Sequence, residues 1–283
     1  MSRILCSMLA LALGACSTLP TPEARSRHAG ALAHDRGWQA VQIETRPFRL
    51  RAFLPASFVR QERLTLYLEG DGLAWITSSQ PSADPTPSDP LALRLALAHP
   101  QGNAAYLARP CQYLGAAEAP CERRYWTDAR FAEEVVASLD QAIDELKNRA
   151  GAQRLVLVGY SGGAALALLL AARRDDVSQV VTVAGNLDHA AWTRHHRVQP
   201  LRHSLNPIEQ AAALARVEQV HLLGAADRVV PPGLGQAFVA AMPAPARTQA
   251  WILPGHDHHC CWADEWPDLW RRVADSFATP GTE

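Results

Sequence analysis

The chain has 283 residues, 48% of them hydrophobic and 19% charged, with a formal net charge of -1. That length and apolar content suit one sizeable core in a single α/β domain. With near-zero charge, no long basic run and no interleaving of aromatic and basic residues, the chain lacks the features that nucleic-acid binding requires, and no repeat recurs at solenoid or propeller periods.

The first residues read as a targeting segment. Arg3 supplies a positive start, Ile4 to Leu13 is apolar, and Leu13-Gly14-Ala15 brings small residues up to Cys16. The apolar run is too short to span a bilayer as a helix and reads as a signal peptide. Leu-Gly-Ala-Cys resembles the lipobox of bacterial lipoproteins. The resemblance implies removal of residues 1–15 and lipid on Cys16, which anchors the chain to a membrane. Because Ser17 rather than aspartate follows, it also implies the outer membrane, on its periplasmic side. An ordinary secretory signal with an incidental cysteine is the simpler alternative. Cysteine usage fits export, since thiols outside the cytosol oxidise. Cys111 and Cys121 flank a short loop rich in alanine and proline and are expected to pair. The adjacent Cys260 and Cys261 could bridge each other or reach elsewhere.

Residues 16–37 contain Pro20 and Pro22 and no sustained apolar face, so they read as a membrane tether, with at most a short helix near Ala29 to Ala33. The folded domain is expected over 38–283. Val41 to Glu44 and Phe48 to Phe53 alternate apolar and polar residues and predict an antiparallel pair at a sheet edge. Leu64 to Leu68 predicts a buried strand running into Glu69-Gly70-Asp71-Gly72. A helix over Leu91 to Ala98 and a strand over Ala104 to Ala108 follow. Asp128 to Arg149 carries Phe131, Val135, Leu139, Ile143 and Leu146 at helical spacing.

Val156-Leu157-Val158 then leads into Gly159-Tyr160-Ser161-Gly162-Gly163 and an apolar helix pattern. A strand over Gln179 to Gly185 precedes a polar stretch, 187–207, which reads as a short lid-like insertion. Its few large apolar residues argue against a deep apolar pocket. Its arginines and histidines would suit an anionic substrate, though such stretches are more often solvated surface. Helix, strand, Asp227, helix, strand and a histidine-rich turn follow, and a last helix from about Glu265 closes the chain. An antiparallel start followed by alternating strands and helices predicts a mostly parallel, twisted sheet covered on both faces.

Strand, Gly-x-Ser-x-Gly and helix in that order is the context of a nucleophile elbow. By itself the pentapeptide is also compatible with a plain strand-to-helix turn. A serine hydroxyl needs a base in reach and a third group to orient that base. Asp227 follows a buried-looking strand, at the end where open α/β sheets place their ligands; it could otherwise cap the next helix. His256, His258 and His259 all follow the last strand, so the base is one of them. A metal site built from His256, Asp257, His258 and Cys260 is disfavoured, since consecutive loop residues rarely converge on one ion. No cofactor motif is present. For an oxyanion, Gly162 offers a backbone N–H at a helix start, and the loop after the third strand offers a second, from Gly72 or Asp71.

These features together resemble the α/β-hydrolase superfamily over most of residues 38–279. With the lipobox, they resemble its exported bacterial lipoproteins. The Pro254-Gly255-x-x-His258 spacing matches such hydrolases and favours His258 as base. The resemblance implies an acyl-enzyme on Ser161, with Asp227 orienting His258, and a small acyl substrate, expected to be a carboxylic ester. An envelope acyltransferase and a non-catalytic binding lipoprotein are the alternatives. Nothing in the sequence specifies an oligomeric state.

Overall fold

The computed structural model describes residues 19–115 and 119–278. Residues 1–15 and the lipobox Cys16 lie outside the described residues. Eight strands form one sheet: β1 (Trp38–Glu44), β2 (Arg49–Pro55), β3 (Arg63–Leu68), β4 (Asn103–Leu107), β5 (Arg154–Tyr160), β6 (Val177–Val183), β7 (Glu218–Gly224) and β8 (Thr248–Leu253). Their spatial order is β1-β2-β4-β3-β5-β6-β7-β8. The β1–β2 and β2–β4 pairs are antiparallel, and all later pairings are parallel. The antiparallel edge and the parallel body are those the alternation pattern predicts.

Side chains alternate across this sheet as the strand period requires. Leu64, Leu66, Leu155 and Leu157 point into one apolar layer, whereas Tyr67 and Val158 point into the other. The first layer is covered by α3 (Glu133–Ala150), α4 (Gly162–Ala171), the single turn α6 (Ala211–Leu214) and α7 (Pro232–Ala240). The second is covered by α1 (Pro22–His34), α2 (Leu91–Leu97) and α8 (Trp262–Ala278), whose Trp262, Trp266, Leu269 and Val273 are buried. The remaining helix, α5 (His189–His196), lies in the insertion. Helix α4 is buried at every position and lies at the centre of the first layer.

Two expectations need correction. Most of the 16–37 stretch is not a free tether, because α1 packs on the domain. Ala29 and Ala33 are buried in the second layer, and the buried Arg25 donates to the Thr86 carbonyl and pairs with Asp84. The docking face consists of small alanines and one arginine, so it gave little apolar periodicity. Helix α3 begins at Glu133, not Asp128, because the preceding backbone bonds elsewhere. The Arg130 carbonyl accepts from Arg109 (2.6 Å), Phe131 N–H donates to Ser204 Oγ (3.1 Å), and the Phe131 carbonyl accepts from Leu205 N–H (3.0 Å).

The Cys111–Cys121 disulfide is formed as expected, with Cα atoms 5.5 Å apart. Cys260 and Cys261 bridge each other across a cis peptide bond. Among the described residues no helix is long and apolar enough to cross a membrane.

Candidate active site

From β3 the chain passes to β4 on one side, while β5 on the other side leads away to β6. The loops leaving β3 and β5 therefore diverge and open a crevice at the carboxyl ends of the strands. Ser161 stands in that crevice between β5 and α4, with φ 51° and ψ −116°. This is strained backbone for a residue with a Cβ, and the surroundings hold it there. Its N–H donates to the Val183 carbonyl (2.9 Å), and its carbonyl accepts from Ala164 and Asn186 N–H (3.1 Å each). The motif glycines are required by packing. A Cβ on Gly159 would strike the Gly163 carbonyl, and one on Gly163 would strike the Leu68 and Glu69 carbonyls.

His258 Nε2 lies 3.1 Å from Ser161 Oγ, and His258 Nδ1 lies 2.8 Å from Asp227 Oδ2. Asp227 Oδ1 accepts from the N–H groups of Val229 and Val230, each at 2.8 Å. The carboxylate is wholly shielded from solvent. Held in this way, the carboxylate can accept a hydrogen bond from Nδ1–H, the tautomer in which Nε2 is free to accept from the serine hydroxyl.

Packing decides among the three histidines that spacing alone leaves open. His256 turns to the Pro254 carbonyl (3.2 Å) and stacks against Trp262, with ring centroids 4.5 Å apart. His259 Nδ1 meets the Tyr160 hydroxyl at 3.1 Å. Tyr160 also donates to the His258 carbonyl (3.2 Å), so the residue beside the serine braces the histidine turn. The donors considered for a metal diverge in the same way. Asp257 Oδ1 accepts from His259 and Cys260 N–H (2.7 Å each), and Cys260 is bonded to Cys261.

The loop after β3 arches over the serine. Gly70 N–H is engaged by Glu69 Oε1 (2.8 Å) and Leu73 N–H by the Pro85 carbonyl (3.1 Å). Gly72 adopts φ +63° with its Cα backed against that same carbonyl, where a Cβ could not fit. The Asp71 carboxylate reaches across Gly162 and is ion-paired to both Arg109 and Arg130. Burial opposes its ionisation, but the two guanidinium groups outweigh that and hold it below the ordinary carboxylate range. Arg130 is fixed further through Nε to the Thr127 carbonyl (2.6 Å).

Beneath the loop, Glu69 is buried. It accepts from Gly70 and Ala92 N–H (2.8 and 3.4 Å) and from the Tyr106 hydroxyl (3.0 Å). Burial pushes this carboxyl up to about 7, against the opposing effect of those hydrogen bonds.

Ser161, Asp71, Gly72 and His258 line a cavity of about 440 Å³, with Trp75 and Trp192 among its other walls. Trp192 comes from α5 of the insertion. Its indole N–H donates to the Val229 carbonyl (2.7 Å), which ties the insertion to the Asp227 loop. Sequence reasoning missed the roles of Tyr160, Arg109, Arg130, Trp75 and Trp192. Only Arg109 carried a signal, as a charge placed immediately after the buried run of β4.

No protein-family model matches the chain, and no curated protein matches it in sequence. Solved structures do match. Est1E from Butyrivibrio proteoclasticus superposes with a TM-score of 0.58 at 11% identity, covering 85% of this chain and 99% of its own. The Pyrococcus furiosus esterase Pf2001 gives 0.58 at 14%, covering 87% and 94%. An alpha-beta serine hydrolase homologue from Coxiella burnetii gives 0.56 at 13%, covering 84% and 96%. This chain has the α/β-hydrolase fold, with a serine, a histidine and an aspartate hydrogen-bonded in series at the carboxyl ends of its strands.

Proposed function

We propose that the protein is a serine hydrolase that cleaves a carboxylic ester through an acyl-enzyme on Ser161. The observation that carries this reading is the Ser161–His258–Asp227 series, with hydrogen bonds of 3.1 and 2.8 Å. In this mechanism His258 Nε2 takes the hydroxyl proton as Oγ attacks the ester carbonyl, and Asp227 stabilises the imidazolium. The tetrahedral intermediate collapses, His258 protonates the departing alcohol, and water activated by His258 releases the acid.

The negative charge on the intermediate needs two fixed donors. Gly162 N–H is the first of α4, has no partner within the helix and sits at the positive end of the helix dipole. Asp71 N–H is the second. The Arg109 and Arg130 clamp holds Asp71 across Gly162, whereas Gly72 is backed onto Pro85. The names of the neighbours support a hydrolase, since one is an esterase and another a serine hydrolase homologue.

A fluorophosphonate probe tests the nucleophile directly. It labels the wild type and not Ser161→Ala, and p-nitrophenyl acetate turnover falls by about 10⁴-fold or more in Ser161→Ala and His258→Ala. An unlabelled wild type rejects the proposal.

We further propose that the chain is a lipoprotein anchored through Cys16 to the outer membrane, on the sequence pattern at Leu13 to Cys16. Because α1 begins at Pro22, its start would lie within about 20 Å of the anchor. Cys16→Ser then releases the protein from the membrane fraction.

A further inference from the structure

A second compartment, of about 630 Å³, adjoins the catalytic cavity and shares Trp75, Arg130 and Trp192 with it. Its own walls include the apolar Pro81, Val198, Pro200 and Leu201, with Asp128 and Arg197 among the polar residues that complete them. The shared aromatic pair is set in place. Trp192 is bonded to the Val229 carbonyl (2.7 Å), and Trp75 forms a β-bridge with Pro81. Arg130, the charged residue between the compartments, is committed to Asp71 and the Thr127 carbonyl.

Scattered exposed apolar residues are ordinary, but several gathered around two adjoining cavities are not. On the exposed rim, Trp75 (39% exposed) lines both compartments, Val229 (42%) lines the catalytic one with Ser161, and Val198 (45%) lines the second. The insertion alone gives little apolar wall, as its composition suggested. The compartment arises because the 75–81 hairpin supplies the opposite side.

We propose that this compartment is a substrate subsite for an apolar chain, so that the substrate class is amphiphilic esters carrying a medium-length alkyl chain. The inference rests on the acyl-enzyme reading of Ser161. The chain could belong to the acid or to the alcohol of the ester, and the test separates these.

Two series are measured by pH-stat below their micellar concentrations: methyl esters of lengthening acids, and acetates of lengthening alcohols. In one series, kcat/KM is expected to rise about twofold to fourfold per methylene up to about eight carbons. The series that rises identifies which end of the ester is held. In Trp75→Ala and Val198→Asp, the ratio of the octyl to the ethyl member of that series falls at least fivefold. Both side chains are partly exposed, and retained turnover of the ethyl member reports that each variant is folded. Val59→Ser leaves the ratio unchanged, since Val59 is 66% exposed and bonded to Asn103 at the amino end of β4.

If both series are flat in a wild type that hydrolyses the short esters, the subsite is overturned and the serine hydrolase reading survives. An unaltered ratio in both rim variants overturns it as well. No turnover of any ester, together with no fluorophosphonate labelling, overturns the underlying reading and the subsite with it.

Discussion

Replacing Glu69 with glutamine should make the protein more stable above neutral pH. The Glu69 carboxyl is buried beneath the loop after β3, and burial pushes it up to about 7, against an ordinary value of 4.5. Below 4.5 both the native and unfolded chains hold the proton, and pH has no effect through this group. Between 4.5 and 7 the unfolded chain has released the proton and the native chain keeps it, so native stability falls as pH rises. A shift of that size corresponds to about 3 kcal/mol, lost by the wild type once pH passes 7.

Glutamine never ionises and keeps the network. Its carbonyl still accepts from Gly70 and Ala92, and its amide donates to the Tyr106 oxygen while Tyr106 donates to Tyr113 (now 3.3 Å apart). Urea unfolding at pH 4.5, 6, 7 and 8 measures the difference between variant and wild type, in which other titrating groups cancel. The expected difference is near zero at pH 4.5 and grows to about 3 kcal/mol in favour of Glu69→Gln at pH 8. A difference that does not change with pH, or a variant less stable than wild type at pH 8, refutes the reasoning.

Asp227→Asn should retain the fold, because the amide oxygen can still accept from Val229 and Val230, but its NH₂ no longer selects the productive tautomer of His258. Steady-state kinetics on a short ester should show kcat about 10⁴-fold lower. Asp71→Ala removes the partner of two buried guanidinium groups and should cost about 3 kcal/mol in urea unfolding, with a loss of kcat as the loop over Gly162 loosens. Removing the Cys111–Cys121 bridge by Cys111→Ser with Cys121→Ser frees a ten-residue loop separation and should cost about 3 kcal/mol by the same measurement.

The regular parts of this molecule were legible because they depend on local periodicity. Leu64 to Leu68 and Val156 to Val158 read as strands because a buried strand must be apolar on both faces. The run from Ala164 to Ala172 read as a helix because alanine and leucine favour it, and α4 covers Gly162–Ala171. Helix α1 was legible only as a short helix near Ala29 to Ala33, because alanines dock it and a single arginine fixes it, which leaves no stripe to count. The first turn expected of α3 was wrong for a tertiary reason: residues 128–132 give their backbone groups to Arg109, Ser204 and Leu205.

At the site, chain order placed Ser161, Asp227 and the histidine turn at strand ends, and the resemblance carried by Pro254-Gly255-x-x-His258 singled out His258. The sequence by itself determined the sheet, the elbow and the set of residues that could react, since each follows from spacing along one segment. Only the tertiary structure decided which histidine faces the serine, and that Asp71 rather than Gly72 is clamped over Gly162 by two arginines. It alone joined Trp75 to Trp192 across the site. Those choices depend on contacts between segments about 40 to 120 residues apart, where packing and burial, not local pattern, select the partner.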